Sequence, residues 1–320
     1  MVQDQHPRSR PSVVALGGGH GLAVTLQALR QVTDRITAVV GVADDGGSSG
    51  RLRRDYGILP PGDLRMAVAA LCGNDPASRA WADVLQFRFA QGELDGHAIG
   101  NLLMAALWES SAGAVAGLDE LSALVGSVGR VLPCSIDPLQ IVADIRGHDS
   151  ESPSSVVEVT GQVEVATTRG RVERVRVEPA DARACHQALA AIESADAIVL
   201  GPGSWFTSLM PHLLLPAQRA AVANATGRRV LVLNLDPQVG ETGDFSPAEH
   251  IEAIKTHAPG VEFDVVIADR GHMRSEEALR NLRAACAPWS AQVLEVDVAG
   301  IGDRHDQDKL ARAFDTVLAG

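Results

Sequence analysis

Three glycine-rich stretches constrain this chain more than any other feature, because each follows a short apolar run and precedes a helical pattern. They are Gly17–Gly21 after Val13–Leu16, Asp44–Gly50 after Ile36–Ala43, and Gly201–Ser204 after Ala197–Leu200. Turns with few side chains at the carboxyl ends of parallel strands let backbone N–H groups and helix N-termini approach a phosphate closely. One such turn would be weak support, since glycine also serves ordinary tight turns. Three of them, one with paired aspartates, predict a nucleotide or another phosphorylated ligand.

The alternation of strand and helix patterns predicts the fold class. Ile36–Ala43 is nearly all apolar, as expected for a strand covered on both faces, and further strands are predicted at Arg229–Leu235, Val265–Asp269 and Gln292–Val296. Helical periodicity separates the strands, at Leu22–Arg30, Leu64–Leu71, Pro76–Phe87, Leu102–Glu109, Asp181–Ser194, Leu209–Leu215, Ser275–Ala285 and Gln307–Leu318. Asp63 is placed to cap the second of these helices. We therefore predict a three-layer, Rossmann-like α/β fold with a mostly parallel, doubly wound sheet.

The middle of the chain changes character. Valine alternates with polar residues at Val156–Thr160, Gln162–Ala166 and Arg171–Val177, and Thr168–Gly170 lies between the last two. This pattern predicts half-exposed antiparallel strands with a hairpin turn. We expect a small antiparallel β insertion at about 153–180 in a single α/β domain spanning 12–320, after a disordered leader at 1–11.

Composition excludes several classes of function. A formal net charge of -12 over 320 residues disfavours a nucleic-acid-binding surface. The four cysteines are far apart without CxxC spacing, which predicts reduced, mostly buried thiols. The polar N-terminus lacks a signal-peptide core, and no apolar run approaches the length of a membrane span. We expect a cytoplasmic protein without a membrane span and without a nucleic-acid partner.

The first two glycine stretches carry candidate ligand contacts. Gly18, Gly19, His20 and Gly21 can hold a phosphate at a helix N-terminus, whereas the dinucleotide fingerprint would require a glycine where Leu22 stands. The second stretch offers two carboxylates for a ribose hydroxyl or for Mg²⁺, followed by backbone and hydroxyl donors. Its candidate residues are Asp44, Asp45, Gly46, Gly47, Ser48 and Ser49.

Further candidates follow later elements. Arg65 can bind a phosphate or carboxylate bidentately, and Asn101 stands at the start of an apolar helix. The third stretch resembles another anion-binding turn, and amide side chains after the next strand suit recognition of a uracil or a sugar. These later candidates are Gly201, Pro202, Gly203, Ser204, Asn234, Gln238, Glu241 and Thr242.

Six co-linear motifs together resemble the YvcK proteins, which are called gluconeogenesis factors and are relatives of the CofD phospholactate transferases. The motifs are Gly17–Gly21, Ala43–Arg53, Gly57–Arg65, Gly96-His97 together with Gly100–Leu103, Gly201–Ser204 and Gln238–Thr242. The similarity extends to Arg304–Asp306.

The resemblance implies a cytoplasmic bacterial protein that binds a UDP-sugar such as UDP-N-acetylglucosamine and supports cell shape and wall-precursor supply on gluconeogenic carbon sources. It also implies that Asp44 and Asp45 are metal or ribose ligands, with Mg²⁺ as the metal. Gly201–Ser204 and Asn234 would hold the nucleotide, and Arg304 would contact its phosphate or sugar end. A wall-precursor enzyme as partner and a homo-oligomeric state belong to the same expectation.

Two residues depart from the family pattern. His20 stands where the family usually has threonine, and Met66 where it usually has asparagine. Histidine is bulkier and titrates near neutrality, and methionine removes a polar group beside Arg65.

Three functions are compatible with these residues. A non-enzymatic nucleotide-sugar-binding regulator agrees with anion-binding turns that have no evident nucleophile or general base beside them. A Mg²⁺-dependent transferase of a phosphorylated group is the alternative, because such transfers need mainly positioning and charge neutralisation. An NAD-dependent enzyme is the weakest of the three, since its fingerprint is incomplete.

Overall fold

The structure is a computed structural model that describes residues 10–149, 152–238, 240–273 and 275–319. The first nine residues of the expected leader lie outside the described residues. Seven strands form the main sheet: β1 Val13–Gly17, β2 Ile36–Val40, β3 Gly129–Pro133, β7 Ala197–Leu200, β8 Arg228–Val232, β9 Val265–Asp269 and β10 Gln292–Val296.

The order of the strands confirms the predicted α/β class. The sheet runs β10-β9-β8-β7-β1-β2-β3, and its pairings are parallel throughout. The chain builds outward from β1 through β2 to β3, and later from β7 through β8 and β9 to β10. The winding direction therefore reverses between β1 and β7, which is where open α/β sheets usually bind ligands.

Helices flank the sheet in two groups. The helices are α1 Gly19–Leu29, α2 Gly47–Tyr56, α3 Pro61–Leu71, α4 Pro76–Gln86, α5 Ile99–Ser110, α6 Ala114–Leu124, α7 Gln162–Ala166, α8 His186–Ser194, α9 Met210–Leu214, α10 Pro216–Asn224, α11 Pro247–His257, α12 Glu276–Cys286 and α13 Gln307–Ala319. In one group α1 packs against α3 and α13, and in the other α10 packs against α8 and α9. A π-helical turn, Trp205–Leu209, leads from the third glycine stretch into α9.

Several predicted boundaries change. The sequence reading missed β3, α6, α10 and α11, and it treated the glycine-serine run as a loop although α2 begins at Gly47 within that run. Asp63 does not cap α3, because Pro60 is the capping residue and Asp63 lies in the first turn. A proline at the first helical position removes an N–H that would have no partner in any case.

The antiparallel insertion exists, but its strands differ from the prediction. Its three-stranded sheet has the order β5-β4-β6, where β4 is Gln140–Arg146, β5 is Val156–Thr160 and β6 is Arg171–Glu178. The unpredicted strand β4 occupies the centre. Gln162–Ala166 is the helix α7 and not a strand, so Thr168–Gly170 joins a helix to a strand and is not a hairpin turn.

A tertiary contact explains why Gln162–Ala166 is helical. The carboxylate of Asp45, in the loop between β2 and α2, accepts hydrogen bonds from the backbone N–H groups of Gln162 (2.9 Å) and Val163 (3.2 Å). These are N–H groups that a helix start leaves without an intrahelical acceptor, so the aspartate stabilises the helix from outside. Periodicity within the segment could not show this.

Two predictions from composition meet the structure directly. All four cysteines are buried and free of disulfide bonds. No helix in the described part of the chain is long and apolar enough to cross a membrane.

We expect Asp45→Ala to lower the free energy of unfolding by about 1 kcal/mol, the usual contribution of a helix-capping side chain. Denaturant unfolding followed by circular dichroism measures the change. Asp315→Ala removes an exposed carboxylate from α13 and serves as the control. Equal stability of the Asp45 variant and the control would contradict this role of Asp45.

Candidate functional site

A cavity of about 760 Å³ opens at the carboxyl edge of the sheet, at the switch point between β1 and β7. This volume lies within the usual range for small-molecule sites. Seven of the sequence-predicted ligand residues line it, namely His20, Gly21, Pro202, Gly203, Asn234, Gln238 and Arg304.

The first and third glycine turns touch each other in the floor of the cavity. A Cβ atom added to Gly21 would lie 2.7 Å from the carbonyl carbon of Pro202 and 3.0 Å from the Cα of Gly203. Only a residue without a side chain permits this approach. The N–H groups of the first turn of α1 then point along the helix axis toward the cavity, with the positive end of the helix dipole.

Polar side chains from the loop after β8 fix the third turn. The amide of Asn234 accepts from the N–H of Gly203 (3.0 Å) and donates to the Gly203 carbonyl (2.8 Å). The amide of Gln238 accepts from the N–H of Trp205 (3.2 Å) and donates to the Ser204 hydroxyl (3.3 Å). Both amide side chains therefore fix the conformation of the third turn. The turn and the two amides were all predicted to contact the ligand.

The predicted residues Glu241 and Thr242 lie behind this turn and do not line the cavity. The buried Glu241 carboxylate accepts from the N–H of Phe206 (2.8 Å) and from the Thr207 hydroxyl. Burial raises the pKa of Glu241, and these hydrogen bonds oppose the rise. Thr242 accepts from the backbone N–H of Gln238 (3.1 Å). Gly201 is buried at the start of the turn with φ +85, a conformation that favours glycine.

Asp63 supports the first turn from below. Its side chain is partly buried, it accepts a hydrogen bond from the Gly19 backbone, and a side chain at Gly18 would overlap its carboxylate. Burial raises the pKa of Asp63 to about 7, the neighbouring Asp44 adds to the rise, and the Gly19 hydrogen bond and Arg65 oppose it. The predicted residues Gly18 and Gly19 are thus held against an acid that titrates near neutrality.

The second glycine stretch adjoins the first but does not line the cavity. Asp44 accepts from the N–H of Gly46 (2.9 Å), and Ser49 accepts from the N–H of Gly62 (2.9 Å) at the start of α3. The buried Ser48 hydroxyl contacts His97 Nδ1 (3.0 Å) and accepts from the amide of Asn101 (3.0 Å). Ser48, Ser49 and Asn101 therefore serve the packing of α2, α3 and α5, and Gly47 begins α2 on the surface.

Asp44 and Asp45 contact different partners, so they do not form the paired-carboxylate Mg²⁺ site that the sequence suggested. Both oxygens of Asp45 are engaged by α7, whereas Asp44 lies beside Asp63. Within the described ranges, no group of three or more histidine, cysteine, aspartate or glutamate side chains is placed to hold a metal. Mg²⁺ is often bound through one or two carboxylates together with substrate phosphates. Asp44 has that donor type, so it fits Mg²⁺ only in combination with a phosphorylated ligand, while Asp63 is engaged by the Gly19 backbone.

Comparison with known proteins decides the family. The family model described as 2-phospho-L-lactate transferase CofD matches residues 13–307. The chain belongs to the CofD family.

Within the CofD family, this chain is similar to the YvcK-type gluconeogenesis factors. A gluconeogenesis factor of Listeria monocytogenes is 37% identical over 250 residues, which cover 78% of this chain and 74% of the relative. A Mycobacterium leprae protein, which is provisionally named a gluconeogenesis factor, is 49% identical to this chain. The match covers 98% of this chain and 88% of the relative. A crystal structure of a UPF0052 family member from Bacillus halodurans superposes with a TM-score of 0.83 and 31% identity, covering 95% of this chain and 98% of that chain.

Several residues of this cavity were not among the predicted ligand contacts, although Met66 and His305 belong to segments that the sequence analysis singled out. Met66 and Gln86 line one end of it, and Asp236, Asp303 and His305 line the other. Asp236 follows β8 in the segment that held two predicted candidates, so its position carried a usable signal. Gln86 ends a helix far from every glycine motif, and nothing in the sequence pattern marks it.

We expect Gly21→Ala to destabilise the fold by about 2 kcal/mol or more, because the added methyl group must displace backbone atoms of the third turn. Thermal and denaturant unfolding measure the loss. Gly41→Ala is the matched control, since its Cβ would meet its nearest neighbour at an ordinary 3.7 Å. If the two variants were equally stable, the close approach of the turns would be wrong.

We expect Asp63→Asn to change the pH dependence of stability. The pKa of Asp63 rises from 3.8 to about 7 on folding, so wild-type stability falls as pH increases between these values and levels off above them. The asparagine variant lacks this fall. Its free energy of unfolding therefore increases relative to wild type by up to about 4 kcal/mol as the pH reaches neutrality. Denaturant unfolding at pH 4 to 8 tests it, with Asp315→Asn as the surface control. Parallel curves for wild type and Asp63→Asn would contradict the raised pKa.

Proposed function

We propose that this chain binds a UDP-sugar of the UDP-N-acetylglucosamine type across the switch-point cavity and acts as a regulatory factor. Its role would be to support cell shape and wall-precursor supply during gluconeogenic growth. The single observation that carries the proposal is the contact between the first and third glycine turns, which places the N-terminal turn of α1 in the same cavity as Arg304 and the loop after β8.

The first glycine turn suits the diphosphate. The start of α1 supplies N–H groups and a helix dipole, and both stabilise phosphate oxygens. Arg304 adds a guanidinium at the rim, while Asp236 and Asp303 make the same side of the cavity negative. A phosphate would therefore be held at the start of α1 and by Arg304, away from the two aspartates.

Base recognition would come from the loop after β8. Asn234 and Gln238 use their amide groups on the third turn, so the other polar groups of that loop at the cavity are the Asp236 carboxylate and the backbone atoms of Leu235–Pro237. Backbone N–H and C=O groups can read the edge of a uracil.

The cavity lining supports a binding role over covalent catalysis. Among the described residues that line it, none is a serine, threonine, cysteine or lysine that could attack a substrate. Burial lowers the pKa of His305 to about 4, and its ring contacts the Leu233 carbonyl at 3.2 Å, so it serves structure. The names of the Listeria relatives describe a factor, which agrees with this role.

A CofD-like transferase is the second candidate, and the position of the Asp44 carboxylate beside Asp63, under the first turn, favours it. A bound Mg²⁺ would neutralise phosphate charge there, with Asp44 as its ligand and Asp63 holding the first turn. Asp44→Asn separates the two candidates. A transferase would lose its Mg²⁺-dependent ligand affinity in this variant, and a regulator that binds without metal would keep its affinity.

Cytoplasmic location, a homo-oligomeric state and a wall-precursor enzyme as protein partner belong to the same proposal. The location and the partner follow from the role of a nucleotide-sugar sensor, which must report ligand level to an enzyme of the same compartment.

We expect Arg304→Ala to weaken UDP-N-acetylglucosamine binding roughly tenfold, because one charge-assisted hydrogen bond to the ligand is lost. Isothermal titration calorimetry measures the affinity, with Arg312→Ala on the exposed face of α13 as the control. Absence of binding by the wild-type protein to UDP-sugars at millimolar concentration would refute the proposed function.

A further inference from the structure

Arg65 is a buried cation that lacks a close carboxylate. Its side chain lies on α3 with only 5% of the residue surface exposed. No carboxylate among the described residues lies within 4.0 Å of it. Its Nε has no hydrogen-bond partner in the described part of the chain. A buried, incompletely paired guanidinium is costly unless something else satisfies it.

The partner that Arg65 does have is a neutral amide at the cavity wall. Its Nη1 donates to Oε1 of Gln86, the last residue of α4. Gln86 is exposed and lines the cavity, as does Met66 next to Arg65. A glutamine oxygen therefore occupies the place where a carboxylate oxygen would pair with the guanidinium. Because the glutamine side chain is exposed, rotating it away requires no rearrangement of the core.

The charges around Arg65 leave room for an anion. Burial lowers the pKa of Arg65 to about 10, Arg88 lowers it further, and Asp63 and Asp44 oppose the shift. The guanidinium is thus still charged at neutral pH. Asp63 is only partly ionised there, since its own pKa is about 7, so it neutralises Arg65 incompletely.

The position of Arg65 along the sheet edge assigns the end of the cavity lined by Met66 and Gln86 to the sugar. The turns after β7 and β1 lie at the centre of the sheet, and the loop after β8 lies on one side of them. Helix α3 packs against α1, β2 and β3, on the other side. With the diphosphate at the start of α1 and the base toward the β8 loop, the sugar reaches toward Met66 and Gln86.

We propose that Arg65, uncovered when Gln86 rotates, forms a carboxylate subsite, so that the preferred ligand is a nucleotide sugar whose sugar carries a carboxylate. The inference rests on the proposed function and specifies its ligand class. The carboxylate replaces the Gln86 oxygen and bonds to the guanidinium fork, which a neutral sugar cannot do.

Calorimetry with three probes tests the subsite. The probes are UDP-N-acetylglucosamine, UDP-N-acetylmuramic acid, which adds a lactyl carboxylate, and the lactyl amide of the latter, which has nearly the same size without the charge. We expect the carboxylate to bind about tenfold more tightly than either neutral probe, as for one added charge-assisted pair.

The variant Gln86→Glu places a carboxylate of the protein itself next to the Arg65 guanidinium. We expect it to pair with Arg65, to raise the free energy of unfolding and to abolish the preference for the carboxylate probe over the amide probe. Gln27→Glu adds the same charge elsewhere in the cavity lining and is the matched control. It should lower carboxylate affinity by general repulsion without adding stability. Arg65→Lys, which keeps the charge but lacks the bidentate fork, should reduce the preference.

The outcomes separate this inference from the proposed function. If none of the probes binds, the proposed function fails. If UDP-N-acetylglucosamine binds and the carboxylate probe is no tighter than its amide, the subsite is wrong while the proposed function stands. An unchanged preference in Gln86→Glu would also overturn the subsite.

Discussion

The site depends on the distance between two backbone turns. Strands β1 and β7 are neighbours in a parallel sheet, so the turns that follow them are brought to one edge, and Gly21 lets them meet without an intervening side chain. The strand spacing of a sheet is set by hydrogen bonding and leaves little freedom. Any bulk between the turns would therefore separate the groups that face the cavity or distort the central strands.

Two acids with raised pKa values maintain this arrangement, and the ionised form of neither is favourable for stability by itself. Asp63 lies under the first turn and Glu241 behind the third, and burial raises the pKa of both. Each nevertheless accepts backbone N–H groups that an irregular turn would otherwise leave without partners. The chain thus accepts an electrostatic cost in exchange for turns with one defined conformation.

The sequence was informative where local pattern determines structure. Apolar runs identified most strands of the main sheet, and the rule that parallel strands end together correctly placed Gly21, Gly203 and Asn234 around one cavity. It failed where a distant group decides the outcome. Gln162–Ala166 has a strand-like pattern, but Asp45 makes it helical, and that contact spans more than one hundred residues. The central insertion strand β4 and the cavity residue Gln86 likewise depend on neighbours that are remote in sequence.

The pairing of Glu241 with the π-helical turn has an evolutionary consequence. A carboxylate in one loop completes the backbone of another, so neither segment can be inherited separately without leaving unsatisfied polar groups in the interior. Recombination between homologues would have to exchange 204–207 and 238–242 together. Natural variation in these two stretches should accordingly be correlated, with chimeric junctions tolerated on either side of the pair but not between its members.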